Sequence, residues 1–233
     1  MRDDEHKLQE ALDGLIGGRS GLTVLEAGCG SLSHLKFPAD TRVVGIDIAR
    51  DQLERNKQLD ERICGDIETY DLGSSRFDAI VCWNVLEHLK SPEQALNRFA
   101  RALRPQGLIV LSAPNLFCLK GLATRYTPYW FHLWFYRNVR GWKEAGTEGN
   151  PPFHAYLKTS ASQGGIRRFA RSKGLEVVHD RSSGEGDSRD IIGRKSRKLD
   201  LLYKPLIFVA AGLTLGRISP RNIEYFMILR ARS

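Results

Sequence analysis

Two glycines and three acids carry the first chemical signal in the chain. Val24-Leu-Glu26-Ala-Gly28-Cys29-Gly30 sets a glycine pair directly after a short apolar run, and Arg42-Val-Val-Gly-Ile-Asp47 brings a second such run to a carboxylate, followed by Ile48. A residue without Cβ lets a ligand approach the backbone at the carboxyl edge of a sheet. An acid ending the second strand is spaced to reach a ribose diol. Joined by the further acid of Gly65-Asp66-Ile67, the set points to a nucleoside-containing cofactor, although a glycine pair alone would equally suit a tight turn with no ligand. A dinucleotide would want a third glycine near Ser33 and a helix N-terminus for its pyrophosphate. Glu26 instead precedes the loop. A carboxylate there repels pyrophosphate and suits a cationic or zwitterionic ligand, which favours S-adenosylmethionine over NAD.

The elements that must hold these residues alternate along the first half of the chain. Leu8, Ala11, Leu12 and Leu15 mark one face of an amphipathic helix. Thr23–Glu26, Arg42–Asp47, Phe77–Cys82 and Leu108–Ser112 read as strands, with a polar helix over about 50–59. Ser91-Pro-Glu-Gln94 supplies an N-cap, a proline at the first helical position and a capping-box Gln; that helix should end near Leu103, at the stop and turn Arg104-Pro-Gln-Gly107. After the break at Asn115 come a helix over 160–173 and strands at Leu175–His179 and Ile223–Leu229. Strands spaced by helices imply βαβ units with both faces of the sheet covered. The expectation is a single α/β domain over residues 1–233, interrupted by insertions at 116–159 and 184–221.

With these residues in place, the chain resembles the class I S-adenosylmethionine-dependent methyltransferases, from about Leu22 to Asn115 and more weakly over 160–183 and the last strand. The resemblance implies a Rossmann-like, mostly parallel seven-stranded sheet flanked by helices. It assigns Glu26, Ala27, Gly28, Cys29 and Gly30 to the methionine portion of the cofactor, Asp47 to the ribose hydroxyls, and Asp66 with Ile67 to adenine, with Ile48 also among the cofactor-binding residues. Phe77-Asp-Ala-Ile-Val-Cys-Trp-Asn-Val-Leu-Glu-His88 is similar to the fourth-strand motif, whose end, at Cys82, Trp83 and Asn84, lies beside the reactive methyl. Ser33, and Gln106 where a glycine is commoner, are departures from the family pattern.

A methyl carried on a sulfonium has an activated leaving group, so positioning supplies much of the acceleration. A hydroxyl acceptor must also lose a proton to a base or a metal-bound environment. Of the six histidines, His6, His34 and His179 read as structural; His88, His132 and His154 are the candidate bases, each with hydrogen bonding inside an aromatic lid as its alternative. Asn84-Val-Leu-Glu87-His88 resembles the Glu-x-x-Glu-His pattern that holds a divalent metal in ubiquinone-pathway and small-RNA O-methyltransferases. Asn84 replaces the first carboxylate, which weakens a hard-cation site. No metal is expected, and Glu87 and His88 are the residues that would hold one.

Residues 116–159 hold 11 of the chain's 21 Phe, Trp and Tyr residues. Following the fifth strand, they are placed to cover the cofactor as a lid over an apolar, aromatic or glycosidic acceptor; a satellite core or a homodimer interface would use the same side chains. In the second insertion, Arg194-Lys-Ser-Arg-Lys198 precedes an apolar helix, which suits peripheral membrane contact or, more simply, packing on the domain. The net charge of +8 divides as +4 in each insertion, leaving the core neutral. This points to an acidic amphipathic acceptor or a membrane surface, and nucleic acid is not expected as a partner. Four scattered cysteines and a charged Met1–Lys7 fit a cytoplasmic protein with no secretory signal. The leading function is methyl transfer to a hydroxyl of a small molecule, assisted by histidine. RNA methylation and a non-catalytic cofactor-binding scaffold with a protein-interaction lid are the alternatives.

Overall fold

The computed structural model describes residues 3–147, 152–183 and 223–232. The insertion expected at 184–221 therefore lies outside the described residues. Seven strands form one sheet in the order β3-β2-β1-β4-β5-β7-β6: β1 Thr23–Ala27, β2 Arg42–Asp47, β3 Glu61–Cys64, β4 Phe77–Trp83, β5 Leu103–Pro114, β6 Glu176–Ser183 and β7 Glu224–Arg230. The pairs among β1 to β5 are parallel, and β7 runs antiparallel between β5 and β6. This is the fold class that the sequence implies.

Every residue of β4 is buried, as a central strand covered on both faces requires. Its alternate side chains feed two cores. Phe77, Ile80 and Cys82 pack with Leu96 and Phe99 of α3 (Pro92–Ala102), while Ala79, Val81 and Trp83 pack with Leu8, Leu12 and Ile16 of α1 (Asp3–Ile16). The helix face read from Leu8 and Leu12 is the one that α1 buries.

Several local readings change. The helix after β2, α2, spans only Arg50–Arg55. Asn56 leaves the helix in an extended conformation, and the Arg62 guanidinium takes the carbonyls of Leu53 and Asn56. β3 follows as a short edge strand whose Glu-Arg-Ile-Cys sequence lacks an apolar run. The Arg104–Gly107 turn lies inside β5: partners shift from Phe77↔Leu103 to Ala79↔Leu108, and Gln106 takes the bulge at φ +62°. Ser91 makes no side-chain cap for α3; its N–H goes to the Glu68 carboxylate at 2.5 Å, beside that of Lys90 at 3.2 Å. Beyond β5 come two short helices, α4 (Leu119–Tyr126) and α5 (Tyr129–Trp134). The helix expected over 160–173 is α6, Gln163–Ser172, preceded by a 3-10 turn at Thr159–Ala161 and capped by the Ser162 hydroxyl, which accepts from Gly165 N. Strand β6 runs on to Ser183, as the polar edge of the sheet.

At the opposite end from the glycine turn, Asp78 is a buried carboxylate that joins three elements. It accepts from Arg19 Nη2 and Arg104 Nη1 at 2.5 Å each and from Thr23 N at 2.9 Å. Asp78→Ala should strand that N–H and lower the unfolding free energy by about 2 kcal/mol, discounted because both arginines are partly solvated. Urea denaturation would measure it, and Asp78→Asn, which keeps an acceptor for Thr23, should lose less.

Candidate functional site

The chain turns sharply after β1. Gly28 and Cys29 N–H groups both reach the Ile46 carbonyl, at 2.8 and 3.3 Å, and Gly28 sits at φ +70°. A Cβ on Gly28 would lie 2.4 Å from Val85 Cγ2. The first glycine is therefore demanded by the chain beyond β4, which lies on this turn, whereas the second faces open space. At φ +53°, Gly30 has only Gln52 Oε1 within reach of a Cβ, at 3.7 Å.

Glu26 heads the loop, buried, with the Ser33 hydroxyl donating to it at 2.5 Å. Burial raises its pKa and the Ser33 bond opposes the rise. Ser33, a departure from the family pattern, thus has a role of its own. Asp47, at the end of β2, accepts from Gly30 N and Ala49 N at 2.9 Å each; a carboxylate has about four acceptor positions, so capacity for a diol remains. Beside it Ile48 is 75% exposed, with Leu32 and Tyr70 also exposed. Asp66 is exposed and accepts from Glu68 N, whereas the Ile67 side chain lies in the core. Cys29 packs with Leu53 and Leu59; burial, then Asp47 and Glu26, push its thiol up to about 12. Cys82 is fully buried, and its thiol is raised by the same desolvation. None of the four cysteines is in a disulfide.

Trp83 ends β4 stacked on His34, with ring centroids 4.8 Å apart, and tilted against Phe226 at 5.6 Å. It shares a small recess with Glu26, Gly28 and Cys29. The next residue, Asn84, takes a left-handed conformation at φ +52°, its N–H held by the Ser112 carbonyl; asparagine tolerates this better than most residues. The turn directs the chain into a 3-10 segment, Leu86–His88, along the wall of a cavity of about 620 Å³.

The three candidate bases, far apart in sequence, all line this cavity, as does Asn84. His88 Nδ1 lies 2.8 Å from the His154 carbonyl. A carbonyl only accepts, so Nδ1 carries the proton and Nε2 of the neutral ring holds the lone pair. Burial lowers the His88 pKa, against the opposing pull of that carbonyl. Glu87 Oε1 stands 3.8 Å from Nε2, and Phe153 meets the ring edge-on at 5.9 Å. His132 Nε2 is engaged by the Thr127 hydroxyl at 2.9 Å and carbonyl at 3.3 Å. The His154 ring packs between Tyr129 and Tyr156, at 5.4 and 4.5 Å.

The roof is tied to the same short segment. Tyr156 and Leu157 N–H groups both donate to the Glu87 carbonyl, at 2.8 and 3.1 Å, alongside the His88 bond to His154. Leu157, a non-glycine at φ +47°, is buried beneath. Among the described residues, no three His, Cys, Asp or Glu side chains gather as a metal cluster.

The cavity wall also holds Arg125 and Glu224, which the sequence did not single out, beside Glu87, which the sequence offered only as a metal ligand. Glu224 opens β7 opposite Pro114, at the carboxyl edge of β5, and an acid at that edge was a usable signal. Among the described residues, Arg125 is the one basic side chain on the wall apart from the histidines.

A glycine turn after β1, an acid ending β2 and an adjoining cavity beyond β4 define an α/β protein built to hold a nucleoside-containing ligand against a second molecule. Residues 2–150 match the family model described as a methyltransferase domain. The chain belongs to this family, within the class I S-adenosylmethionine-dependent methyltransferases. It is 33% identical to a ubiquinone biosynthesis O-methyltransferase of Idiomarina loihiensis, over 46% of this chain and 47% of that one. It is 28% identical to the mitochondrial ubiquinone biosynthesis O-methyltransferase of Saccharomyces cerevisiae, over 48% and 39%. The chain thus spans about half or less of the curated relatives that it matches. The fold is similar to that of a SAM-dependent methyltransferase from Archaeoglobus fulgidus (TM-score 0.59, 16% identity, 97% of this chain and 92% of that one). It is also similar to Haemonchus contortus phosphoethanolamine N-methyltransferase 2 in complex with S-adenosyl-L-methionine (TM-score 0.58, 15% identity, 98% and 53%).

The Gly28–Val85 contact can be tested by a double-mutant cycle. Gly28→Ala should destabilise by about 2 kcal/mol or more, through both the clash and the left-handed φ. Adding Val85→Ala should return part of that loss, as read by thermal or urea unfolding; strictly additive effects would mean that the contact is not what requires glycine.

Proposed function

We propose that this chain transfers a methyl group from S-adenosylmethionine to a hydroxyl of a small amphipathic molecule held in the 620 Å³ cavity, with His88 as the general base. The cofactor supplies a methyl on a sulfonium whose leaving group needs no further activation. The buried Glu26 carboxyl suits the ammonium of the methionine portion, whose charge would offset the desolvation that raises the Glu26 pKa; the open Gly30 backbone lets it approach. The Asp47 carboxylate suits the ribose hydroxyls, and exposed Ile48 offers an apolar face to adenine. Because their side chains are in the core, Cys82 and Ile67 would act through their backbone.

The observation that carries the choice of base is the His88 tautomer. Its Nδ1–H is committed to the His154 carbonyl, so the lone pair is on Nε2. An acceptor hydroxyl held in the cavity would give its proton to Nε2, from which the Glu87 carboxyl group stands 3.8 Å away. His132 is engaged with Thr127 and His154 stacks among tyrosines, which suits them to shaping the cavity. The ubiquinone O-methyltransferase relatives support an oxygen acceptor. The aromatic and carboxylate lining accommodates an aromatic or glycosidic group.

Asp47→Ala should weaken S-adenosylmethionine binding at least tenfold by calorimetry, and unchanged affinity would sink the cofactor assignment. His88→Gln should lower kcat by about 10² or more while leaving cofactor affinity in place. In the wild type, the base is ready only above the lowered His88 pKa, so kcat should rise with pH along a limb lying below the ordinary histidine range. A limb in the ordinary range that survives His88→Gln would transfer the role to another group. An acceptor can be sought with labelled methyl donor and a metabolite extract.

A further inference from the structure

The aromatic segment has two faces with different business. In α5 (Tyr129–Trp134) and the π-helical turn that follows it, Phe135–Val139, Tyr129, His132 and Tyr136 recur at i, i+3 and i+7 and line the cavity. Trp130 and Trp134, four apart, fall on the other side. They are 67% and 50% exposed, and neither α5 nor the turn buries a single residue. Phe131 lies stacked on Trp134 at 5.8 Å and edge-on to Trp130 at 6.0 Å, so the rings form one cluster. Tyr126 and Val139, both exposed, extend the surface along the chain.

Charge identifies what this surface fits. Residues 119–147 hold five Lys and Arg against one acid, Glu144. Arg125, Arg137, Arg140 and Lys143 are all exposed. Tryptophan and tyrosine rings interspersed with arginine and lysine match the headgroup layer of a bilayer, where rings bury their apolar bodies and cations meet anionic lipid. A second copy of the chain fits less well. A two-fold contact on this face would set the same arginines against themselves. Among the described residues no helix is long and apolar enough to cross a membrane, so the fit is to the surface of one.

We propose that the outward face of α5 and the turn after it, centred on Trp130, Phe131 and Trp134 and rimmed by Arg137, Arg140 and Lys143, docks on anionic lipid bilayers. The docking stands independently of the methyl-transfer reading. Its functional consequence does rest on that reading: the docked helix is also a wall of the acceptor cavity, so an acceptor with a lipid tail can enter from the bilayer.

Sedimentation of the full chain with phosphatidylcholine vesicles, and with equimolar phosphatidylcholine–phosphatidylglycerol vesicles, tests this. Binding should be at least tenfold stronger to the mixed vesicles and should fall with added salt. Both Trp130→Ala/Trp134→Ala and Arg140→Gln/Lys143→Gln should weaken it by roughly tenfold or more. S-adenosylmethionine affinity, measured in the same preparations, reports folding and the cofactor reading separately. Absence of binding to the mixed vesicles would overturn the proposal, as would equal binding to both vesicle types or binding unaffected by either double change. A lipid-free dimer abolished by Trp130→Ala/Trp134→Ala would overturn it in favour of a second copy as the occupant.

Discussion

The contact between Gly28 and Val85 is the constraint on which the site depends. Because Gly28 has no Cβ, the turn after β4 rests directly on the turn after β1. Glu26 and Asp47 at one turn, and Asn84, Glu87 and His88 at the other, then share a single edge of the sheet. The parallel order of β2, β1 and β4 delivers three strand ends to that edge, but strand order alone leaves the turns free to diverge. Close backbone packing removes that freedom, and the nucleoside-binding corner and the acceptor cavity become neighbours as a result.

The electrostatics of this edge are graded by burial. Glu26 is buried, which raises its pKa against the bond from the Ser33 hydroxyl, whereas Asp47 is tied to two backbone N–H groups. Cys29, beside Asp47 and Glu26, and Cys82, beside Glu87, are held as neutral thiols by desolvation. They contribute volume rather than reactivity. Across Asn84, the imidazole of His88 is held neutral in the same way, with its tautomer set by a backbone carbonyl. Restricted access of water thus keeps both thiols protonated and lowers the His88 pKa.

Much of this architecture can be read from sequence wherever the signal is local. The continuous apolar runs of β4 and β5, the Leu8 and Leu12 face of α1, and the glycine-and-acid pattern at β1 and β2 each follow from spacing within a few residues. What escapes is held by distant partners. β3 is Glu-Arg-Ile-Cys, a strand only because β2 lies beside it. The early end of α2 depends on Arg62, and the Ser91 N–H that a capping-box Gln94 would take is held by Glu68 instead. At the site, the two glycines look alike in sequence, yet Gly28 answers to Val85 and Gly30 to open space. Nothing local to His88 reveals that the His154 carbonyl, 66 residues on, decides which of its nitrogens is basic.

The tie between roof and wall has a final consequence. Residues 154–157 hang from Glu87 and His88 by three hydrogen bonds, and one of them is the bond that orients the imidazole. The roof and the His88 ring are therefore tied together. If His88 is the base, as proposed, a roof lifted to admit a molecule would release the ring to rotate and exchange tautomers, and closing it would restore the directed lone pair. Proton acceptance would then be coupled to enclosure, so that an open, water-filled cavity would also be a cavity without an aimed base.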